Sequence, residues 1–140
     1  AAFRTPSHAP LGMTGHLLLT AWDPERPATL SPTIIGDIIR GAIGFEGLLL
    51  TDDIDMEALS GSVPERAERA LAAGCDVVLN CWAKFDDMVG IAGRCGKLSA
   101  AGQERLARVH AAMGEPAEAP PAEELLAKRE ALLAIARERA

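Results

Sequence analysis

An apolar run of strand length that ends in a cluster of carboxylates is the feature that most constrains this chain. The run Leu48–Thr51 is followed by Asp52, Asp53 and Asp55. A run of leucines is typical of a strand buried on both faces, as in a parallel sheet covered by helices. In α/β proteins the groups that carry out chemistry follow the carboxyl ends of such strands. The acidic cluster therefore lies where a functional site is expected.

Apolar runs alternate with helical patterns along the rest of the chain. Strands are predicted over Met13–Thr20, Gly47–Thr51 and Asp76–Trp82, and a helical pattern follows each of them. This order implies parallel pairing with right-handed crossovers. Three strands cannot close a barrel, which needs eight strands and about 250 residues. The predicted fold class is therefore α/β, an incomplete (β/α)8 barrel of the TIM type.

The last part of the chain differs in composition from the part before it. Residues 1–113 carry the alternating strands and helices, and residues 114–121 are rich in Pro, Ala and Glu, which is typical of a linker. Residues 122–140 are predicted to form an amphipathic helix with a stripe of leucines.

Composition excludes several classes of protein. The formal charge of -6 comes from 20 acidic and 14 basic residues, and an acidic surface repels phosphate backbones, so we expect no nucleic-acid partner. No apolar run approaches the roughly 20 residues that span a bilayer, so we expect no membrane association. The three cysteines lack CxxC spacing, which favours a reducing cytoplasm. The first residue is not Met, which favours a fragment or a processed chain.

The acidic cluster has three interpretations on spacing alone. Adjacent side chains of a strand point to opposite faces, so Asp52 and Asp53 face one pocket together only if the chain turns there. This favours one catalytic carboxylate beside a supporting one. A divalent-metal site is the second interpretation, because hard cations bind several carboxylates. A solvated loop or helix cap is the third.

His16 is a second candidate, because it interrupts the apolar run predicted as the first strand. A buried polar side chain usually has a hydrogen-bond partner, so a structural histidine in the core is one interpretation. The other is a donor that faces a ligand at the end of the strand.

Several motifs follow one another in order between about residue 3 and residue 113. They are Met13-Thr14-Gly15-His16, Asp23, Pro27-Ala28-Thr29-Leu30-Ser31, Ile39-Arg40, Gly44-Phe45-Glu46-Gly47, Thr51-Asp52-Asp53-Ile54-Asp55-Met56, Glu65-Arg66 and Ala73-Gly74-Cys75-Asp76. In this order they resemble a known family, glycoside hydrolase family three, and within it the bacterial β-N-acetylhexosaminidases of peptidoglycan recycling.

The resemblance implies a role for each candidate residue. Asp52 corresponds to the nucleophile of the family, and His16, Asp53 and Met56 correspond to positions beside the substrate. The implied reaction is retaining hydrolysis of terminal β-linked N-acetylglucosamine from muropeptides through a covalent intermediate on Asp52. It implies no cofactor and no metal. The chain would supply about the last three β/α units of the barrel, that is, a C-terminal part of the enzyme.

The motifs that hold the sugar and supply the acid/base of this family lie upstream of the matched region. General acid–base assistance is typically worth about 10²–10⁴-fold in rate, so we expect the chain to be inactive alone. Its open sheet edges predict self-association or binding of a complementary N-terminal half-barrel. The alternative is a non-catalytic half-barrel that uses the acidic strand ends to bind a divalent cation or a partner.

Overall fold

The computed structural model describes residues 5–82, 84–114 and 120–138. Its strands form one parallel sheet of order β1-β2-β3, with β1 at Leu11–Met13, β2 at Leu48–Asp53 and β3 at Val77–Leu79. The prediction of an α/β fold with parallel pairing is confirmed. Within the described residues the sheet is open, with β2 in the centre.

Helices connect and follow the strands. Short 3-10 turns lie at Thr5–His8 and Ala28–Leu30, and the longer helices are a π-helix at Thr33–Ala42, α1 at Val63–Ala73, α2 at Phe85–Arg94, α3 at Ala100–Met113 and α4 at Ala122–Glu138. Most of the linker predicted over 114–121 falls on residues 115–119, outside the described residues. No helix in the described part of the chain is long and apolar enough to cross a bilayer.

The first strand lies earlier than predicted. β1 ends at Met13, and only the N–H of Thr14 still donates to the sheet, to the Leu50 carbonyl at 2.9 Å. The apolar residues after it leave the sheet, and Leu17 is 66% exposed. Trp22 then donates its N–H to the Leu19 carbonyl, which closes a turn. The prediction of a strand over Met13–Thr20 is wrong after Met13, because in the part of the chain that the structure describes these leucines pair with no other strand.

The helix between β1 and β2 begins at a pair of side-chain hydrogen bonds. Ser31 Oγ accepts from the Ile34 N–H at 3.1 Å and donates to Asp23 Oδ2 at 2.6 Å. The hydrogen bond from Ser31 and those from nearby N–H groups hold the pKa of Asp23 below its usual value, although burial opposes them. The helix has π-type bonding, and at its end the Ile43 N–H donates to Ile38 O.

The core lies on both sides of β2. One cluster of buried residues joins the sheet to α1, and it consists of Leu30, Ile54, Leu59, Ala67 and Ala70. The other joins the sheet to the π-helix, and it consists of Ile35, Phe45, Leu49, Ala73 and Cys75. The prediction that β2 is buried on both faces is confirmed. Burial of this kind stabilises the fold by about 25 cal/mol per Å² of apolar area.

A buried carboxylate holds together the amino ends of β2 and β3. Asp76, whose side chain is 4% exposed, binds Arg40 of the π-helix at 2.8 Å and Arg105 of α3 at 2.7 Å. Its Oδ2 also accepts from the Leu49 N–H at 2.9 Å. Arg40 in turn donates to the carbonyls of Phe45 and Gly47. One side chain therefore connects both helices to the central strand.

We predict that Asp76→Asn destabilises the chain by about 3 kcal/mol, because removing one partner of a buried ion pair leaves the other charges uncompensated. Urea unfolding followed by circular dichroism measures this change.

The matched control is Asp37→Asn, which removes an exposed carboxylate from the π-helix. Equal unfolding midpoints for the two variants would show that Asp76 does not hold the helices to the sheet.

Candidate active site

The carboxyl ends of the three strands meet at one edge of the sheet. Asp52 and Asp53 are the last residues of β2, and Asn80 and Cys81 follow β3. His16 follows β1 and reaches this edge by its side chain. The structure thus brings together three of the four residues predicted for the site, with Met56 in the loop that follows.

A bulge lies between β2 and β3 immediately before the acidic residues. Leu50 lies opposite Val77 and Asp53 opposite Leu79, so β2 has one more residue than β3 across this stretch. The buried Thr51 fills the gap, because its Oγ1 accepts from the Leu79 N–H at 2.9 Å. Bulges bend a strand and redirect its side chains, and they are common next to active sites.

Asp52 is half-buried at this bulge. Its Oδ1 accepts from the N–H of Asp53 at 2.8 Å. This bond lies along the chain from one residue to the next, so it fixes the Asp52 carboxylate relative to the strand end. A half-buried carboxylate with one oxygen held by a backbone N–H can meet a small molecule with the other.

Asp53 connects β2 to β3 and to the following loop. Its Oδ1 accepts from the N–H groups of Cys81 at 3.1 Å and Asp55 at 3.2 Å. Desolvation raises the pKa of Asp53, but these two N–H groups, the Cys81 thiol and the nearby His16 together hold the pKa below its usual value. The Asp53 carbonyl also accepts from the Met56 N–H at 3.1 Å. Asp53 therefore acts mainly on the backbone around it.

His16 uses both ring nitrogens on protein atoms. Its Nε2 is 2.9 Å from the Asp53 carbonyl oxygen, and its Nδ1 is 2.8 Å from Thr29 Oγ1. A carbonyl only accepts, so Nε2 carries a proton and donates. The ring is therefore held between the loop after β1 and the end of β2. Its role beside a substrate stays a prediction.

Met56 lies in the loop after β2 with its side chain 45% exposed. Arg66 of α1 supports this loop, because its guanidinium donates to the carbonyls of Ile54 at 2.9 Å and Met56 at 3.2 Å. The loop is thereby fixed to α1 while the Met56 side chain faces solvent. An exposed side chain at this point is available to a ligand.

Two threonines belong to this edge although the sequence assigned them no role. Thr29, which is fully buried, lies 2.9 Å from Thr14 through their hydroxyl oxygens, and the Gly15 carbonyl, which can accept from the Thr29 hydroxyl, lies 3.1 Å away. Both residues lie in motifs that carry the family resemblance. The signal was that two polar residues interrupt otherwise apolar segments, and buried hydroxyls require partners.

The cysteines near the site are not activated nucleophiles. Burial raises the pKa of Cys75 to about 12. Desolvation, together with the carboxylates of Asp53, Asp52 and Asp55, raises the pKa of Cys81. A thiol is nucleophilic mainly as the thiolate, so neither group is suited to attack. In the part of the chain that the structure describes, no group of three acidic, His or Cys residues is placed to hold a metal ion.

A cavity of about 370 Å³ lies beside β1 rather than at the acidic edge. Its walls are almost entirely apolar and include Leu11, Met13, Leu17, Trp22, Ile38, Ile39 and Phe45. It therefore runs along β1 against the π-helix, and it also reaches Leu49 of β2. None of the acidic residues at the end of β2 lines it.

An open parallel sheet with carboxylates at the carboxyl end of its central strand places the chain in the α/β class, and comparison with known proteins identifies the family. The model for "Glycosyl hydrolase family 3 N terminal domain" matches residues 2–112. The chain belongs to this family. The predicted family is thus confirmed, but placement in a C-terminal part of the enzyme is wrong, because the matching model describes the N-terminal domain.

Individual relatives agree with this assignment. The chain is 46% identical to a "Beta-hexosaminidase" from Alkalilimnicola ehrlichii over 71 residues, which is 49% of this chain and 20% of that protein. It is likewise 46% identical to one from Stenotrophomonas maltophilia over 77 residues, 54% of this chain and 23% of that protein. The chain therefore spans about a fifth of the length of the curated relatives that it matches.

Solved structures show the same relation. A family 3 β-N-acetylglucosaminidase from a Paenibacillus species superimposes with a TM-score of 0.59 at 26% identity, covering 80% of this chain and 24% of that one. The β-N-acetylglucosaminidase from Thermotoga maritima gives a TM-score of 0.51 at 32% identity, covering 68% and 22%. The open sheet is consistent with part of a family 3 barrel domain.

We predict that the bonds to Asp53 stabilise the chain in a pH-dependent way. Because the pKa of Asp53 is lower in the folded chain than in the unfolded chain, this stabilisation is present above about pH 4 and is lost as the pH falls through the folded value. Free energies of unfolding measured between pH 7 and pH 3 should fall more steeply for the wild type than for Asp53→Asn.

Other carboxylates with lowered pKa values titrate in both proteins, so the difference between the two curves isolates Asp53. Parallel curves would contradict the assignment of the Asp55 and Cys81 bonds to an ionised Asp53.

Proposed function

We propose that this chain carries the nucleophile-bearing part of a family 3 β-N-acetylhexosaminidase. The observation that supports it most directly is the position of Asp52. This residue lies near the end of the central strand, beside a bulge and within the region that the family model matches. The relatives named above support hexosamine glycosides as the substrate class. The further proposal is terminal β-linked N-acetylglucosamine from muropeptides, processed in the cytoplasm during peptidoglycan recycling.

In this proposal Asp52 supplies the covalent step of a retaining mechanism. A carboxylate oxygen of Asp52 forms a bond to the anomeric carbon while the glycosidic C–O bond breaks. The departing oxygen takes a proton from a general acid. Water then attacks the same carbon and gives up a proton to the conjugate base, which releases the sugar and restores the Asp52 carboxylate.

The neighbouring residues have supporting roles in the proposed site. The Asp53 N–H holds one oxygen of Asp52 at 2.8 Å, so the attacking group is oriented before substrate binds. Met56 is exposed and is proposed to contact the sugar. The proton donor is proposed to come from another part of the enzyme, because retaining catalysis needs a general acid in addition to the nucleophile.

We predict that residues 1–140 alone do not hydrolyse a chromogenic N-acetyl-β-glucosaminide, whereas a chimera does. In the chimera, residues 2–112 replace the corresponding part of the family 3 domain of the hexosaminidase from Alkalilimnicola ehrlichii. Asp52→Ala should lower kcat of the chimera by at least about 10³-fold, because it removes the group that forms the covalent bond. Release of the chromophore measures turnover.

Glu57→Ala is the matched control, since it removes an exposed carboxylate from the loop that follows β2. Adding azide should restore turnover to Asp52→Ala with the α-glycosyl azide as product, because a small anion can occupy the space of the lost carboxylate. Turnover by residues 1–140 alone, or an active Asp52→Ala chimera that needs no azide, would refute the proposal.

The proposed partner is a complementary portion of the barrel domain or a second copy of the chain, bound along β1. The backbone groups of Pro10 and Thr14 form hydrogen bonds with β2. Because backbone groups alternate in direction along a strand, those of Leu11 and Met13 point to the open edge of the sheet. Both side chains are about half-exposed, and they line the apolar cavity. An unpaired edge beside an apolar cavity is a site where another strand can add.

We predict that the isolated chain forms oligomers through this edge and that Met13→Lys shifts it toward the monomer. A charge placed on an edge strand opposes pairing with another strand. Size-exclusion chromatography with light scattering measures the mass.

Met113→Lys is the control, because Met113 is 74% exposed on α3 and lies far along the chain from β1. A wild-type chain that is monomeric at all concentrations would contradict this prediction, as would an equal shift in both variants.

A further inference from the structure

We propose that Thr29 is a positioning residue for the nucleophile, acting through His16. This inference rests on the proposed role of Asp52 and adds to it a group that does not touch the substrate. Thr29 is fully buried, and it precedes the π-helix, far along the chain from the acidic cluster. Its effect on Asp52 passes through two contacts, Thr29 to His16 and His16 to Asp53.

The first contact fixes the imidazole ring. Thr29 Oγ1 lies 2.8 Å from His16 Nδ1, and His16 Nε2 lies 2.9 Å from the Asp53 carbonyl oxygen. The carbonyl requires a proton on Nε2, so in the neutral ring Nδ1 carries a lone pair and accepts from the Thr29 hydroxyl. The Asp53 carbonyl thus sets the tautomer, and the Thr29 hydroxyl supplies the second hydrogen bond that holds the ring in place.

The hydroxyl of Thr29 has partners that suit both states of the ring. The Thr14 hydroxyl, at 2.9 Å, can donate to the Thr29 oxygen while the Thr29 O–H points to His16. When the ring is protonated, Nδ1 donates to Thr29, whose own O–H then turns to the Gly15 carbonyl at 3.1 Å. The contact between His16 and Asp53 is kept in either state.

The second contact fixes the strand end. Asp53 is held through its carbonyl by His16, and its N–H holds Asp52 Oδ1 at 2.8 Å. Its carboxylate holds the backbone after β3 through the Cys81 N–H. Loss of the hydrogen bond from His16 to the Asp53 carbonyl removes the contact that reaches Asp53 from the β1 side. The orientation of Asp52 then becomes less defined. A misplacement of a reacting group by about 1 Å can cost roughly 10²-fold in rate.

The test begins with the ring of His16 in residues 1–140, observed by long-range ¹H–¹⁵N NMR above the pH at which the ring is charged. The wild type and Thr29→Ser should show a single tautomer with the proton on Nε2. Thr29→Val should show altered shifts of the His16 ring nitrogens and altered amide shifts at Asp52 and Asp53. Thr33→Val, a control at the start of the π-helix, should match the wild type.

The second readout is the rate of the chimera. Thr29→Val and His16→Ala should lower kcat by about 10-fold with little change in KM, and Thr29→Ser should restore it. Far-UV circular dichroism establishes whether each variant is folded. If Thr29→Val is not folded, His16→Ala decides the question, because His16 is half-exposed. Its readout is the amide shifts of Asp52 and Asp53.

The outcomes separate the two proposals. Unchanged Asp52 and Asp53 amide shifts in folded Thr29→Val, or in His16→Ala, overturn the positioning role whatever the chimera does. An inactive wild-type chimera overturns the proposed function and leaves the NMR result to decide whether Thr29 positions the strand end.

Discussion

The end of β2 depends on Asp53, which is held through every polar group of its backbone and through its side chain. Its N–H donates to Asp52, its carbonyl accepts from His16 and Met56, and its carboxylate accepts from the N–H groups that follow it and β3. These contacts come from all three strands of the sheet. The order of a site at this edge therefore depends on the two peptide groups that flank Asp53.

Much of this architecture is present in the sequence because local signals agree with the final packing. The capping box of Ser62 and Glu65 starts α1, and Gly74 ends it with φ at +115°. A Cβ at Gly74 would lie 2.9 Å from Ile35, so the position also needs glycine for packing. The leucine run of β2 and the alternation of strands and helices identify the parallel sheet. A fold can be predicted from a sequence when its local signals and its final packing agree in this way.

The features that the sequence did not predict depend on contacts between distant residues. The bulge arises because the Thr51 hydroxyl replaces a backbone carbonyl as the acceptor for Leu79, and no local pattern distinguishes a threonine that does this from one that merely faces the core. The hydroxyl of Thr29 is likewise significant only because a histidine ring lies against it. The position of β1 was mispredicted because hydrophobicity shows which side chains can be buried, whereas burial also requires a neighbouring element that covers them.

The sequence separations of the contacts around Asp53 have a consequence for folding. His16 is 37 residues from Asp53, Cys81 is 28 residues away, and Thr29 is 13 residues from His16. The entropy cost of closing a loop rises only slowly with its length, so these contacts can form although they join residues spread over almost half of the chain. The edge that carries Asp52 can therefore become ordered together with the three strands, as one local unit of the fold.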